Sequence, residues 1–333
     1  MPQTMRAIWV ERPGGPDALV DAHLPVPEPK RGEVRVRVAF AGINPVDVAW
    51  RKGQHQPPLP GVLGRDFSGH VDAVGEGVTN LRIGERVLGY AAGASNGTYA
   101  ERVCVPQELL AHAPPMLPLA LASALPVSGL TAAMILEQDR PREGERILVT
   151  GAAGAVGSVL GHLARALKVE LTVATTSEAG RAYLAKCQAM PTERIVVVRE
   201  GHSEIAPGRF DAAYDLAGGR QKLLAFQAVR PGGRVVSIVE EPADFPLPIW
   251  DENESPLVKR SLGFRFVQLG SLVQHAPRAS WGWYGETLER LASNPPAALP
   301  VEVVGPLSAA TAREAQRRIE AREYAGKLVM RVA

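Results

Sequence analysis

Hydrophobic and polar residues alternate in short runs over the first third of the chain. Between about residues 5 and 110 the segments MRAIWV, EVRVRVAFAG, SGHVDAVG and ERVLGY are separated by glycine-containing turns. Apolar side chains at every second position are typical of strands with one buried face. The pattern therefore predicts an irregular, mostly β domain in which helices are scarce.

The pattern changes after Pro126, where amphipathic segments separate short, almost continuously apolar runs. Such runs are typical of parallel strands covered by helices on both sides, so we predict a doubly wound α/β domain. Between residues 199 and 209 its helix should be short or absent, and two helices and a strand should follow the domain. The predicted strands are RILVT (146–150), ELTVATT (170–176), IVVV (195–198), AAYDL (212–216), RVVSIV (234–239) and FRFVQL (264–269).

Length, charge and cysteine content exclude several classes of protein. A chain of 333 residues, 46% of them hydrophobic, has room for two hydrophobic cores. The net charge is +2 and no run of five Lys or Arg occurs, so we expect no nucleic-acid partner. The first residues contain no long apolar segment, so we expect a cytoplasmic protein without a membrane span. The two cysteines, Cys104 and Cys187, exclude a disulfide framework and a Cys-rich metal site.

A glycine-rich loop follows the first predicted strand of the α/β domain. In RILVTGAAGAVGSVLGHLARAL, a buried strand leads through Gly151, Gly154 and Gly157 into an apolar-faced helix. The first glycine allows a tight turn, the second lets the backbone approach a pyrophosphate, and the third lets the helix pack closely. The helix N-terminus supplies N–H donors. This context predicts a dinucleotide site, although the GxxGxxG spacing also fits a turn of small residues in an unrelated α/β protein.

The end of the second predicted strand favours NADPH over NADH. A carboxylate at this position binds the ribose hydroxyls of NADH and repels a 2′-phosphate. The sequence has Thr175, Thr176 and Ser177 instead, and Arg181 one turn later could neutralise a phosphate. The alternative is that Ser177 caps the next helix and Arg181 is solvated, with Glu178 an unfavourable neighbour for a phosphate.

Several longer strings carry a family resemblance. In their order along the chain they resemble the zinc-free quinone oxidoreductases, the zeta-crystallin-like branch of the medium-chain dehydrogenase/reductase superfamily. The strings are GINPVDVAWRKG (42–53), PGVLGRDFSGHVDAVGEGVTNLRIGERV (60–87), GTYAERVCVP (97–106), LPVSGLTAA (125–133), FDAAYDLAGG (210–219), AVRPGGRVVSI (228–238) and YAGKLVMRV (324–332).

The resemblance implies an α/β fold with a GroES-like, mostly β catalytic domain and a doubly wound, parallel-sheet Rossmann domain. It places the catalytic domain at residues 1–125 and 273–333, and the cofactor-binding domain at 126–272. It also implies a homodimer or homotetramer that assembles through the last strand of the cofactor domain, near residues 264–269.

The same resemblance implies catalysis without a metal. Zinc-dependent relatives use a Cys, a His–Glu pair and a second Cys or acid. Here Asn44 lies near the position of the first ligand, and Gly64-Arg65-Asp66 replaces Gly-His-Glu. The remaining histidines are scattered, so we expect no metal site.

The implied activity is NADPH-dependent hydride transfer to quinones or similar conjugated carbonyl compounds. Asn44 is the predicted catalytic donor, with an Asn-Pro turn as the alternative. Thr131 is predicted to lie beside the nicotinamide, and the alternative is that it caps a helix. Lys327 is predicted to face the cofactor, and the alternative is that it is an exposed lysine before a strand. The predicted cofactor-binding residues are Asn44, Thr131, Gly151, Ala153, Gly154, Ala155, Val156, Gly157, Thr175, Thr176, Ser177, Arg181, Ala217, Ile238, Val239, Phe266 and Lys327.

Two departures from the family pattern leave other functions open. Ala49, followed by Trp50, replaces a tyrosine of many relatives, and Val198 replaces a tyrosine that covers the adenine. An enoyl or alkenal double-bond reductase would use the same cofactor site. A non-catalytic NADPH-binding sensor or crystallin-like protein would keep the cofactor site and lose turnover.

Overall fold

The computed structural model describes residues 3–54, 59–92, 97–187, 190–198, 205–240, 255–296 and 299–333. The chain divides into two compact units. Unit 1 consists of Met1–Leu130 and Gly270–Ala333, and unit 2 is Thr131–Leu269.

The strands are numbered in chain order. They are β1 (Thr4–Val10), β2 (Leu19–Pro25), β3 (Glu33–Ile43), β4 (Gly61–Val62), β5 (Asp66–Val74), β6 (Arg86–Tyr90), β7 (Arg102–Pro106), β8 (Leu110–His112), β9 (Arg146–Thr150), β10 (Glu170–Thr175), β11 (Ile195–Val197), β12 (Phe210–Asp215), β13 (Val229–Ser237), β14 (Gly263–Phe266), β15 (Val301–Pro306) and β16 (Lys327–Arg331).

The α-helices are numbered in the same way. They are α1 (Pro45–Arg51), α2 (Leu119–Ala122), α3 (Pro126–Asp139), α4 (Ala155–Ala164), α5 (Glu178–Cys187), α6 (Arg220–Ala228), α7 (Pro256–Lys259), α8 (Ser271–His275), α9 (Gly282–Ser293) and α10 (Ala309–Glu320). Short 3₁₀ turns connect several of these elements. No helix in the described part of the chain is long and apolar enough to cross a membrane.

Unit 1 is mostly β, as the alternating pattern predicts. One sheet has the order β2-β1-β4, and a larger one has the order β15-β16-β3-β5-β6-β8, with β7 also paired to β3. The alternation in β3 is visible in its burial, because Val34, Val36 and Val38 are fully buried in the core. The unpredicted strand β15 has no buried position, so its hydrophobic pattern gave no signal.

The C-terminal segment completes the core of unit 1. Helix α10 buries Ala312, Ala315 and Ile319 against this core, and β16 adds Leu328 to it. Ser308 begins the helix by accepting a hydrogen bond from the Thr311 N–H, at 3.1 Å. The predicted order of helix, helix and strand is therefore found, with β15 added between the two helices.

Unit 2 contains a six-stranded sheet with the order β11-β10-β9-β12-β13-β14, and every pairing is parallel. This is the strand order of the doubly wound Rossmann fold, which confirms the predicted fold class. The central strands are buried on both faces: Ile147, Leu148 and Ala213 are fully buried. Strand β14 ends at Phe266, three residues earlier than predicted. The segment predicted to have a short or absent helix lies partly outside the described residues, and residues 205–209 contain no helix.

Candidate functional site

The carboxyl ends of four neighbouring strands in unit 2 lie in register. Asp215 at the end of β12 pairs with Thr150 on one side and with Ser237 on the other, and Ser237 pairs with Phe266. The segments that follow these strands therefore start at one edge of the sheet. This edge brings together the predicted loop Gly151–Gly157 and the predicted residues Ala217, Ile238 and Val239. In doubly wound sheets ligands bind outside this edge.

The three glycines of the loop differ in what requires them. Gly151 has a φ of +70°, and a Cβ there would lie 3.1 Å from the Cβ of Ala217. A Cβ on Gly157 would lie 2.4 Å from the carbonyl oxygen of Ala152, so this position requires glycine for packing. A Cβ on Gly154 would meet only the Gly151 carbonyl oxygen, at 3.4 Å, and φ there is −79°. The fold therefore does not require glycine at position 154, whereas a ligand that touches the backbone would.

The same glycine precedes the helix that follows the loop. Gly154 is the N-cap of α4, and no side chain caps this helix. The first-turn residues Ala155 and Val156, and Ala153 before them, are partly exposed. Backbone N–H groups at the start of α4 and the positive end of its dipole favour an anion. The backbone at Gly154, which carries no side chain, and the N-terminus of α4 together fit the pyrophosphate of a dinucleotide.

The tip of β10 carries hydroxyls and a cation. Thr175 is buried, whereas Thr176, Ser177 and Arg181 are exposed. The Ser177 hydroxyl oxygen accepts a hydrogen bond from the Gly180 N–H at 3.0 Å. The backbone carbonyl oxygen of Ser177 accepts a second hydrogen bond, from the Arg181 N–H. Ser177 therefore caps α5, as the alternative interpretation expected. This capping leaves the Thr176 and Arg181 side chains exposed at the same end of the helix.

A buried carboxylate organises the edge of unit 2. Asp215 is fully buried and accepts hydrogen bonds from the Thr150 hydroxyl at 3.0 Å and from the Ser237 hydroxyl at 2.8 Å. The N–H groups of Ala217 and Gly218 also donate to it, at 3.2 and 2.9 Å. Asp215 thereby links the ends of three strands and fixes the backbone at the predicted residue Ala217.

The counter-ion of Asp215 comes from α6. The ammonium group of Lys222 lies 3.8 Å from the Asp215 carboxylate and donates to the carbonyl oxygen of Val239. Lys222 is 2% exposed. The sequence prediction missed both residues of this pair. Asp215 had a signal, an acid at the end of an apolar strand, but Lys222 looks like an ordinary helix lysine.

In unit 1, Asn44 belongs to a second buried polar cluster. It lies at the start of α1, and its side-chain amide donates to the Asp66 carboxylate at 3.0 Å. Lys327, at the start of β16, donates to the amide oxygen of Asn44 and also to the Asp66 carboxylate. The structure therefore brings together Asn44 and Lys327, which are far apart in the sequence. The alternative of an exposed lysine is wrong, because Lys327 is 2% exposed.

The contacts of this cluster fix the orientation of the Asn44 amide. The other oxygen of Asp66 accepts from the Val127 N–H at 2.6 Å, so both carboxylate oxygens are engaged. The amide oxygen of Asn44 is held by Lys327, and one amide hydrogen is held by Asp66. Among the described residues the second amide hydrogen has no acceptor, so Asn44 keeps one donor for a ligand.

A second buried acid lies directly beneath Asn44. Asp47 is fully buried and accepts from the Asn44 N–H at 2.8 Å and from the Tyr99 hydroxyl at 2.9 Å. Burial raises the pKa of Asp47 from 3.8 to about 6, because removal from water disfavours the charged form. Sequence reasoning missed this residue as well, although an acid three residues after an N-cap is a common helix-start signal.

The far end of α1 is also fixed. Arg51 is fully buried, and its guanidinium donates to the Gly14 carbonyl oxygen at 2.6 Å, to Gln316 at 2.6 Å and to Glu320 at 3.0 Å. Two of these partners lie on α10. Because both ends of α1 are anchored, the side chains along it have defined positions.

Two predicted residues lie outside these clusters. Thr131 lies within α3 and is 6% exposed, and Phe266 lies at the end of β14 and is 42% exposed. Because Thr131 is the sixth residue of α3, the alternative that it caps this helix is wrong. The cofactor-binding roles of Thr131 and Phe266 stay predictions. In the described part of the chain, no group of three or more His, Cys, Asp and Glu side chains is arranged to hold a metal ion.

Comparisons with known proteins agree with this architecture. The profile of the alcohol dehydrogenase GroES-like domain matches residues 30–115. A quinone oxidoreductase of Pseudomonas aeruginosa is 33% identical over 285 residues, which cover 84% of this chain and 82% of that protein. The 2-methylene-furan-3-one reductase of Solanum lycopersicum is 33% identical over 71% of this chain. That match spans 62% of the tomato protein's own length, which is less than two thirds.

A solved structure resembles the whole fold. A mycobacterial protein in complex with NADPH superimposes with a TM-score of 0.82 at 28% sequence identity. The superposition covers 98% of this chain and 99% of that one. The match to the GroES-like profile and this superposition confirm the predicted combination of a GroES-like domain and a Rossmann domain.

Asp47→Asn should change how the free energy of unfolding depends on pH. The folded protein holds the Asp47 proton more tightly than the unfolded chain, because the pKa is raised to about 6. The stabilising contribution of this carboxyl group is therefore complete below about pH 4 and is lost as the pH rises through about 6. The loss amounts to about 3 kcal/mol at neutral pH. Asparagine avoids this loss and keeps an acceptor for Asn44 and Tyr99.

Urea unfolding at several values between about pH 4 and pH 7 measures this difference. The variant should gain stability relative to the wild type as the pH rises. Glu193→Gln, at an exposed side chain in a 3₁₀ turn before β11, is the control and should show no comparable gain. A stability difference between Asp47→Asn and wild type that is constant over this range would contradict the assignment.

Proposed function

The chain belongs to the zinc-free quinone oxidoreductase branch of the medium-chain dehydrogenase/reductase superfamily, and we propose that it reduces quinones or similar conjugated carbonyl compounds with NADPH. It is an oxidoreductase of this family. The observation that carries the proposal is the bare backbone at Gly154, where the fold itself leaves room for a side chain. Glycine at this position fits a pyrophosphate that lies against the loop and the N-terminus of α4.

We call the loop Gly151–Gly157 the cradle, and the residues around it fit a dinucleotide. Gly151–Gly157 would hold the pyrophosphate, and Ala217, Ile238 and Val239 lie along the same sheet edge toward the nicotinamide end. Thr131 and Phe266 complete the proposed cofactor site. When bound, the reduced nicotinamide supplies the hydride, so the protein has to bind and orient rather than supply electrons.

The adenosine end of the site favours the phosphorylated nucleotide. Thr175 is the last residue of β10, and no carboxylate occupies the two positions after it. The exposed side chains of Thr176 and Arg181, with Ser177, can bind a 2′-phosphate through hydrogen bonds and charge. An acid at this tip would repel the phosphate, so its absence supports NADPH over NADH.

Unit 1 supplies the polar groups for the acceptor. Asn44 has one amide hydrogen left to donate, and we assign this hydrogen to an oxygen of the acceptor or of the nicotinamide amide. Lys327 and Asp66 hold the amide in this orientation from the opposite side. A conjugated acceptor spreads the incoming negative charge, so a hydrogen-bond donor suffices without a metal, and water supplies the proton.

The assembly and location of the protein are proposals of the same kind. Strand β14 is at one end of the described sheet of unit 2, and it carries the exposed Phe266. An exposed strand edge is a template for pairing with a second copy. We propose a cytoplasmic homodimer or homotetramer that assembles through this edge. We further propose residues 1–125 and 273–333 as its catalytic domain and 126–272 as its cofactor domain.

Purified protein should oxidise NADPH when ortho- or para-quinones are supplied, and oxidise NADH more slowly. Steady-state rates measured by the loss of nicotinamide absorbance give kcat and KM for each acceptor. Alkenals and enones tested beside the quinones distinguish quinone reduction from double-bond reduction. Tight NADPH binding without turnover of any acceptor would instead indicate a binding protein, and added chelator should leave the rate unchanged.

Gly154→Ser should weaken NADPH binding without loss of stability. Serine is a favourable N-cap residue, and its Cβ fits here because the nearest atom is 3.4 Å away. Its side chain would occupy the space assigned to the pyrophosphate, and we expect the Kd for NADPH to rise by about tenfold or more, as loss of 1.4 kcal/mol would give. Calorimetric titration measures the Kd, and thermal unfolding checks the fold.

Gly15→Ser is the matched control for this substitution. Gly15 is also an N-cap, and no other atom lies within 4 Å of the position that a Cβ would take, but it belongs to unit 1. This variant should keep both the melting temperature and the NADPH affinity of the wild type. An unchanged NADPH affinity in Gly154→Ser would refute the proposed cradle.

Arg181→Met should reduce the preference for NADPH over NADH. Removing the cation should raise the Kd for NADPH by about tenfold, since hydrogen bonds to charged groups contribute roughly 1.5–3 kcal/mol. The Kd for NADH should stay the same, because NADH has no 2′-phosphate. Arg194→Met is the control, because Arg194 precedes β11 at the opposite, amino end of the sheet. Equal weakening of both nucleotides in Arg181→Met would exclude this assignment.

A further inference from the structure

Three residues of unit 1 hold the Arg65 side chain. It directly precedes β5, and the central carbon of its guanidinium lies 3.9 Å from the ring centroid of Trp50 on α1. The ring of Tyr90, at the end of β6, lies 5.8 Å from the same carbon. One terminal N–H group donates to the Ala91 carbonyl oxygen at 2.7 Å. These contacts fix the plane of the guanidinium.

The charge of Arg65 has no carboxylate counterpart among the described residues. No described Asp or Glu oxygen lies within 4.0 Å of it, although the side chain is partly buried. Arg35 and Arg51 of the same unit differ, because Arg35 binds Asp72 and Arg51 binds Glu320, whereas Arg86 binds only a backbone carbonyl oxygen among the described residues. The adjacent Asp66 does not compensate Arg65, because its oxygens are engaged by Asn44, Lys327 and the Val127 N–H.

The guanidinium has donors left to bind a ligand. An arginine side chain carries five N–H donors in a planar fork, and one of them is used by Ala91. An aromatic ring that stacks on the guanidinium carbon covers a face and leaves the N–H groups at the edge accessible. Such a fork matches the two oxygens of a carboxylate.

Arg65 is also adjacent to the proposed reaction site. Asp66, its neighbour in sequence, binds the amide of Asn44, and Trp50 lies on the helix that Asn44 begins. Tyr90 pairs with Asp66 across the sheet. A carboxylate bound by Arg65 would therefore lie beside α1 and β5, the two elements whose starts carry Asn44 and Asp66.

We propose that Arg65, held against Trp50, is a specificity-determining residue that binds a carboxylate of the acceptor, so that the preferred acceptors are conjugated carbonyl compounds carrying a carboxylate. This inference rests on the proposed function. The reaction itself is unchanged: the hydride adds to the conjugated carbon, the nicotinamide is oxidised by two electrons, and water protonates the reduced acceptor. Arg65 takes no part in the electron transfer and acts by binding and orienting.

Acetylacrylate and its amide are a matched pair of acceptors that tests this assignment. They share the enone and nearly the same shape, but only the first carries a charge. The wild type should have a KM for the carboxylate that is about tenfold lower than for the amide. Added salt should raise the KM for the carboxylate and leave the KM for the amide unchanged, because screening acts on charge pairs.

Arg65→Gln should raise the KM for acetylacrylate by about tenfold to a hundredfold and change the KM for the amide by less than about twofold. Arg65→Lys should restore part of the preference, because it keeps the charge and loses the fork. Arg31→Gln, at an 81% exposed side chain, removes the same net charge from the surface and should behave as the wild type. NADPH affinity should match the wild type in all three variants, and thermal unfolding should show that each variant is folded at the assay temperature.

The remaining outcomes are distinct. If the wild type shows no preference for the carboxylate, or if Arg65→Gln lowers kcat equally for both acceptors, the carboxylate site is refuted. If no acceptor is reduced, the proposed function fails, and calorimetric titration of acetylacrylate into the NADP⁺-loaded protein decides the inference separately. Binding that disappears in Arg65→Gln supports it, and no binding to the wild type overturns it.

Discussion

The structure of each unit depends on the pairing of a fully buried aspartate with a buried lysine. Asp66 and Asp215 are fully buried, and each is paired with a lysine that is 2% exposed, Lys327 and Lys222 respectively. Removing one partner of such a pair would leave a bare charge out of water, at a cost of roughly 3–5 kcal/mol. The elements that carry these residues are therefore constrained to meet. In both units the pair lies beside the residues to which we assign function.

Each pair acts on the residues of its own unit in the same way. The Asp215 pair holds the backbone of Ala217 and Val239 at the sheet edge, and the Asp66 pair holds the amide of Asn44. In both cases each carboxylate oxygen already contacts a donor of the protein, so both aspartates position other groups. The groups that we assign to ligand binding are backbone N–H groups, the Asn44 amide hydrogen, the hydroxyls at the tip of β10 and the guanidinium groups of Arg65 and Arg181. Donors of this kind suit a ligand rich in anionic and carbonyl oxygens.

The sequence predicts the apolar part of this architecture better than its polar part. The runs around Ile147 and Val235 identify the Rossmann sheet, because apolar periodicity reports burial directly. The glycine pattern likewise predicts the proposed pyrophosphate site at Gly154. The burial of Lys327 has no local signal, because its partner Asp66 is 261 positions away. A buried charge is defined by a tertiary contact, and a window of sequence does not contain that contact.

The contacts of Asp66 also explain why Arg65, the residue before it in the sequence, can bind a ligand. A single carboxylate has two oxygens, and those of Asp66 are filled by Asn44, Lys327 and a backbone N–H. Its charge is already balanced by Lys327, so Arg65 gains little from its proximity. The indole of Trp50 stabilises the guanidinium by a cation–π contact without neutralising it. A partly buried guanidinium that is not neutralised by a carboxylate attracts an anion more strongly than a solvated surface arginine does, because fewer water molecules screen its charge. The pairing of Asp66 with a distant lysine thus leaves Arg65 without a counter-ion among the residues that the structure describes.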